Sequence, residues 1–201
     1  MRERPPFRLG VTGGIATGKS TVMAMLREFG AEVIDADRVY HALIEPGQPL
    51  NEALVKRWGE GIRTPDGRID RRALGGIVFG NPEELADLDA LTHPAIRRRI
   101  DDIFDASTAN VVAIDAVKLI ESGHADRCDS VWLVGAEPAT QLMRLISSRG
   151  LSPEDAERRV ASQRGLADRM KRADIVISND GTADDLRRQV TAAWQCLPLA
   201  P

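Results

Sequence analysis

The sequence predicts an α/β fold, a mostly parallel sheet flanked by helices, and three observations predict it. Short apolar runs rich in β-branched residues alternate along the chain with segments of helical period. The first run leads straight into Gly13-Gly14-Ile15-Ala16-Thr17-Gly18-Lys19-Ser20, a glycine-rich loop that opens a helical stretch. The 201 residues, 43% hydrophobic and 28% charged, suffice for one α/β core with insertions and are few for two independent ones. The expectation is therefore a single domain over residues 1–201.

Taken in order, the runs at residues 9–12, 32–34, 111–114, 130–134 and 175–177 read as strands buried on both faces. Helical periodicity marks 20–29, 139–148, 153–163 and 183–194. One interval breaks the rhythm. Residues 38–109 read as helices and turns, the turns marked by Pro46-Gly47, Pro65-Asp66-Gly67 and Asn81-Pro82. That is too long for a simple crossover, so it is expected to be a helical insertion at the end of the sheet where ligands of such folds bind.

Charge and cysteine content narrow the function classes. A net charge of −3 from 27 basic and 30 acidic side chains gives no general nucleic-acid signature. Against that balance, the stretch 138–172 carries eight basic residues and four acidic ones. Such a segment is either a solvated helix face with close ion pairs or a cover for phosphate groups. No apolar run approaches the roughly 18 to 20 residues of a membrane span, and MRERPPF lacks the apolar stretch of a signal peptide. Cys128 and Cys196 are far apart and outside any CxxC spacing, which suggests neither a disulfide framework nor a zinc site. A cytoplasmic protein is expected, a monomer or small homo-oligomer acting on small molecules rather than on nucleic acid or membrane.

The loop carries the strongest chemical signal. It satisfies G-x-x-x-x-G-K-[ST] between a strand and a helix, the context the phosphate-binding P-loop requires. Gly13 and Gly18 allow backbone angles that let successive N–H groups turn inward around a phosphate, and the helix adds its positive N-terminal end. Residues 14–21, from Gly14 through Ile15, Ala16, Thr17, Gly18, Lys19 and Ser20 to Thr21, are expected to hold Mg²⁺·ATP. Lys19 is to reach the β and γ phosphates and the Ser20 hydroxyl to ligate Mg²⁺.

The second run ends in Asp35-Ala36-Asp37. At the carboxyl end of a strand beside phosphates, acidic residues serve a metal or a substrate hydroxyl. Asp37 is expected to accept the proton of an attacking hydroxyl and to meet the metal, with Asp35 contacting substrate. Asp37 could also cap the helix that follows, a role compatible with that chemistry. Asp115 ends the third run in an apolar context like that of a Walker-B acid.

These motifs belong to a longer series. TGGIATGKST, VIDADRV, PGQPL, DGRIDRRAL followed by VF, LTHPAIR and ADIVISNDG occur in the order and spacing of dephospho-CoA kinases, and the chain resembles that family over nearly its whole length. The resemblance implies a nucleoside-kinase-like P-loop NTPase fold with a nucleotide-binding core, a helical acceptor-binding insertion and a small lid. It implies transfer of the ATP γ-phosphoryl group to the ribose 3′-hydroxyl of dephospho-CoA. By position it assigns Lys19 as the loop lysine, Asp37 as the base and Arg144 as a lid-side arginine for phosphate handling, with Arg149 behind it. It places Arg71, His93 with Pro94, and Arg97 near the acceptor. Gln163, Arg169, Asn179 and Gly181 fall at the lid end and near adenine.

The chain also departs from the family pattern. Ala16-Thr17 stands where many relatives have Gly-Ser. Val117 and Lys118 replace part of a proline-leucine segment after Asp115, so Lys118 becomes a candidate contact for a substrate phosphate. Leu166 stands where many carry arginine, which shifts lid chemistry toward Arg164 or Arg169. The alternatives are a nucleoside or nucleoside-monophosphate kinase of the same fold, disfavoured by the LTHPAIR block and the long insertion, and a regulatory P-loop ATPase. For the latter a guanine-reading N-K-x-D is missing.

Overall fold

The structure, a computed structural model, describes residues 5–163 and 165–199. The chain forms two compact units, Met1–Ile34 with Ser107–Pro201, and Asp35–Ala106.

The first unit holds the sheet. Its strands are β1 (Phe7–Gly13), β2 (Glu32–Asp35), β3 (Val111–Asp115), β4 (Ser130–Gly135) and β5 (Ile175–Ser178), in the order β2-β3-β1-β4-β5. β1 runs parallel to β3 with Val11 opposite Asp115, and parallel to β4 with Gly13 opposite Val134. β4 runs parallel to β5, so Gly135 faces Ser178. The expected strands are all present. Burial on both faces holds for β1, β3 and β4 but not for β2 and β5, where exposed residues interrupt the pattern. Strand order supplies the reason: those two lie at the edges.

Alternation within the strands builds the main core. Leu9, Val11, Val111, Ala113, Trp132, Val134 and Ile177 share one face of the sheet. Against them pack Val22, Met23 and Leu26 of α1 (Lys19–Glu28) and Leu186, Val190 and Ala193 of α9 (Ala183–Gln195). Each buried Val, Leu, Ile or Met among them contributes about 1.5–3 kcal/mol through burial. α9 starts in a capping box, Thr182 accepting from the Asp185 N–H while Asp185 accepts from the Thr182 N–H. Between β4 and β5 lie α6 (Pro138–Arg149), α7 (Pro153–Ala161) and α8 (Leu166–Arg172). Prolines at the first turn open α6 and α7, and Gly150 in the left-handed conformation ends α6.

The second unit is helical: α2 (Ala36–Leu43), α3 (Pro49–Trp58), α4 (Arg71–Val78) and α5 (Pro82–Ala106). Its core gathers Ile44, Leu50, Leu54, Val55, Ile62, Ile69, Leu74 and Val78. Asn51, fully buried, ties its turns together by donating to the carbonyls of Ile44 (2.8 Å) and Gly67 (3.1 Å) while accepting from Arg63 (3.0 Å). α5 passes through Pro94 without a break. The proline removes one ladder bond, yet α2, α3 and α4 all pack against this helix, and tertiary packing outweighs the local cost. His93-Pro94 therefore neither caps nor ends a helix. Among the described residues no helix is long and apolar enough to cross a membrane.

Candidate active site

The carboxyl ends of β1, β3, β4 and β5 lie at the same end of the parallel sheet, the end at which ligands of open α/β sheets bind. The loop after β1 reaches α1 through Gly18, whose φ of 87° only glycine adopts without cost. Gly13, by contrast, has no left-handed backbone. Its glycine is required sterically, since a Cβ would stand 2.6 Å from the Val134 carbonyl oxygen. Ala16 takes the left-handed conformation (φ 56°) despite its Cβ. The first amides of α1, at Lys19 and Ser20, have no acceptor within the helix and form its positive end.

Three successive loop residues are each held from a distant element. Gln163, just past α7, accepts the Ile15 N–H on its Oε1 at 2.7 Å. Arg144 on α6 donates to the Ala16 carbonyl (3.2 Å) and to the Asn179 carbonyl (2.8 Å). Asn179, buried past β5, donates from Nδ2 to the Thr17 carbonyl at 2.8 Å. Thr17 closes the turn by donating to the Gly14 carbonyl at 3.0 Å. The roles of Arg144 and Asn179 on these atoms are to brace the backbone, and sequence reasoning missed the bracing. A signal was present for Gln141, which sits with Leu145 on the buried face of α6 where an apolar residue belongs.

Lys19 is ion-paired with Asp115 at the end of β3, both side chains being at least four-fifths buried. This brings together the loop lysine and the Walker-B-like acid. Ser20 and Thr21 are exposed on the first turn of α1. The hydroxyl of Ser20 and the carboxylate of Asp115 are hard oxygen donors of the kind Mg²⁺ takes. Among the described residues no group of three or more His, Cys, Asp or Glu could hold a metal alone. Such a set fits an ion shared with phosphate oxygens rather than a dedicated cage.

The remaining candidates of this unit spread out. Arg149 is exposed at the last position of α6, where a cation suits the helix end. Gly181 sits in the turn before α9, and a Cβ there would stand 2.7 Å from Asp185 Oδ2, so the capping box demands glycine. Lys118 is exposed just after β3. Arg169 donates twice to Glu121 Oε1 (2.7 and 2.8 Å), Arg172 pairs with Asp126, and Arg158 with Asp155. Much of the basic stretch is thus taken up in ion pairs near the surface. Arg164 lies outside the described residues.

In the helical unit Asp35, not Asp37, is the N-cap of α2. Its Oδ1 accepts from the amides of Asp37 (3.0 Å) and Arg38 (3.1 Å). That leaves the Asp37 carboxylate exposed in the first turn, with no side-chain partner among the described residues. Arg71 opens α4 and donates to His41 Nε2 at 2.7 Å. Arginine only donates, so that nitrogen is the acceptor. Burial raises the adjoining Tyr40 hydroxyl above its ordinary pKa, with Arg71 opposing. His93 lies 3.4 Å from Asp89 one turn earlier, and Arg97 follows one turn later on the same stripe of α5.

Comparison with known proteins accords with this arrangement. The family model for dephospho-CoA kinase matches residues 7–185. The dephospho-CoA kinase of Symbiobacterium thermophilum is 47% identical over 190 residues, covering 93% of this chain and 80% of its own. Among solved structures, a Thermus thermophilus protein superposes with a TM-score of 0.82 at 34% identity, over 96% of this chain and 99% of that one. The dephospho-CoA kinase from Campylobacter jejuni gives 0.68 at 28% identity, over 94% and 95%. With a braced phosphate loop on a parallel five-stranded sheet and a family match that runs from β1 into α9, this chain belongs to the dephospho-CoA kinase family.

Proposed function

We propose that this chain transfers the γ-phosphoryl group of ATP to the ribose 3′-hydroxyl of dephospho-CoA, yielding coenzyme A and ADP. One observation carries the reading: the family match spans both the braced loop of residues 13–21 and the exposed carboxylate of Asp37. The loop from Gly14 to Thr21 receives the nucleotide phosphates, its amides donating to them except that of Ile15, which Gln163 holds, and Lys19 exchanges part of its contact with Asp115 for a phosphate oxygen. Ser20 and Asp37 would offer oxygen donors toward Mg²⁺, with the Asp115 carboxylate beside Lys19 as a further one. When bound, that ion offsets charge on the phosphates. Asp37 accepts the proton of the 3′-hydroxyl as its oxygen attacks phosphorus, and ADP departs with the broken bond's electrons.

Arg144 holds the loop and faces the phosphates, while Arg149, Asn179 and Gly181 border the nucleotide. Asp35, Arg71, His93, Arg97, Asp115 and Lys118 serve the acceptor. The basic stretch 138–172 acts as a lid over the nucleotide, and residues 38–109 act as the acceptor-binding insertion. The reaction belongs in the cytoplasm, where ATP and the free thiols of Cys128 and Cys196 are both at home.

A coupled ADP-release assay with Mg²⁺·ATP and dephospho-CoA, run beside AMP, CMP, uridine and water, tests the proposal. ADP release with dephospho-CoA alone supports it, as does phosphorus NMR placing the new phosphate on the 3′-oxygen. Faster turnover of a nucleotide would overturn the acceptor while keeping the kinase.

A further inference from the structure

One of the loop braces is the end of a chain of amides with a direction. The Ala136 carbonyl, one residue past β4, can only accept, and it takes Gln141 Nε2 at 2.7 Å. Gln141 Oε1 is thereby turned to Gln163 Nε2, also at 2.7 Å. The same Gln163 nitrogen donates to the Val160 carbonyl at 3.3 Å. Gln163 Oε1 is left as an acceptor, and it meets the Ile15 N–H. Every orientation follows from a backbone carbonyl that has no alternative role. Gln141 is only 6% exposed, so a mismatched oxygen pair there would not be relieved by water. Gly14 completes the arrangement. Its backbone lies outside the left-handed region, yet a Cβ on it would collide with Gln163 Oε1.

We infer that Gln163, oriented by Gln141, is a positioning residue that holds the Gly14–Ile15 peptide in its nucleotide-receiving shape, and that position 14 is glycine to admit it. The inference rests on reading the loop as the ATP phosphate site. Gln163 acts through the loop backbone, so its loss falls on nucleotide binding and leaves acceptor binding unchanged. A brace that orders the loop before ligand arrives lowers the ordering cost of binding.

The test is a double-mutant cycle of Gly14→Ala and Gln163→Ala in the full chain. Isothermal titration with Mg²⁺·ADP, steady-state kinetics for both substrates and thermal melts are its readouts. Gln163→Ala is expected to weaken ADP binding and raise the ATP KM about five- to tenfold, the scale of one net hydrogen bond. The acceptor KM should stay within about twofold, since no acceptor contact is assigned to this chain of amides. Gly14→Ala should cost a similar factor alone but little when combined with Gln163→Ala, where the Gln163 amide is gone and the next atom near its Cβ is the Thr17 methyl at 3.5 Å. Gln163→Glu, nearly isosteric, should weaken ADP binding at least as much as alanine, because its second oxygen faces Gln141 Oε1.

Wild-type ADP affinity in a folded Gln163→Ala or Gln163→Glu protein overturns the role, as does full additivity of the pair. Lys19→Ala separates the two readings. If it abolishes ADP binding while the Gln163 variants bind normally, the kinase stands and the positioning role falls. If Lys19→Ala binds ADP as wild type does, the loop is not the phosphate site and both fall.

Discussion

At the residue scale, Asp35 and Asp37 look interchangeable as carboxylates and are separated by one hydrogen-bond pattern. Asp35 gives an oxygen to two backbone amides, and the Asp37 carboxylate is left exposed in the first turn of α2. On the proposed base role, Asp37→Asn should lower kcat by about 10²- to 10⁴-fold, read in the coupled assay. Asp35→Ala should instead destabilise by about 1 kcal/mol, read from the melting temperature. The cysteines divide in the same manner. Burial pushes the Cys128 thiol up to about 12, while Cys196 is exposed at the end of α9. A thiol reagent applied at pH 8 should modify Cys196 quickly and Cys128 only on unfolding, as mass mapping of the labelled peptides will show.

At the element scale, helix ends carry the pH dependence. The Thr182 hydroxyl and amide hold the Asp185 carboxyl below its ordinary pKa, and the Glu137 N–H does so first for Asp180, helped by Thr140 and Ser178. Both groups bind protons less readily folded than unfolded. Their stabilisation is present above the ordinary carboxylate range and is lost as pH falls through the depressed folded values. Urea midpoints should thus drop below about pH 4, and Asp185→Asn should start lower at pH 7 yet lose less on acidification. The capping box at Thr182 and Asp185 follows a readable S/T-x-x-acid pattern. The caps at Asp35 and Asp70 are equally plain only once the helix starts are known, because sequence patterns leave an uncertainty of a residue or two at each start.

At the scale of the whole molecule, each unit has a core of its own, one on the sheet and one among α2 to α5. Leu54, fully buried in the helical unit, makes that separation measurable. Leu54→Ala should cost about 2–5 kcal/mol, and hydrogen exchange should show protection lost chiefly within residues 35–106. Loss spread evenly over the sheet amides would mean that the two cores unfold as one. The strands were legible because β-branched runs bounded by turns are local signals, and β1 to β5 each contain their expected run. Less legible was which of them are edges, since strand order depends on pairing between residues far apart in the chain.

The sequence alone determined the alternation of strand and helix, the phosphate loop with its lysine and the family blocks, because each is written in neighbouring residues with a fixed spacing. The tertiary structure alone decided which carboxylate caps and which stays free, that Lys19 rests on Asp115, and that Gln163, Arg144 and Asn179 grip Ile15, Ala16 and Thr17. Those last contacts join residues 128 to 162 positions apart. No periodicity links such partners. They meet only because the parallel sheet brings the ends of β1, β3, β4 and β5 to one edge, where three-dimensional proximity replaces sequence spacing.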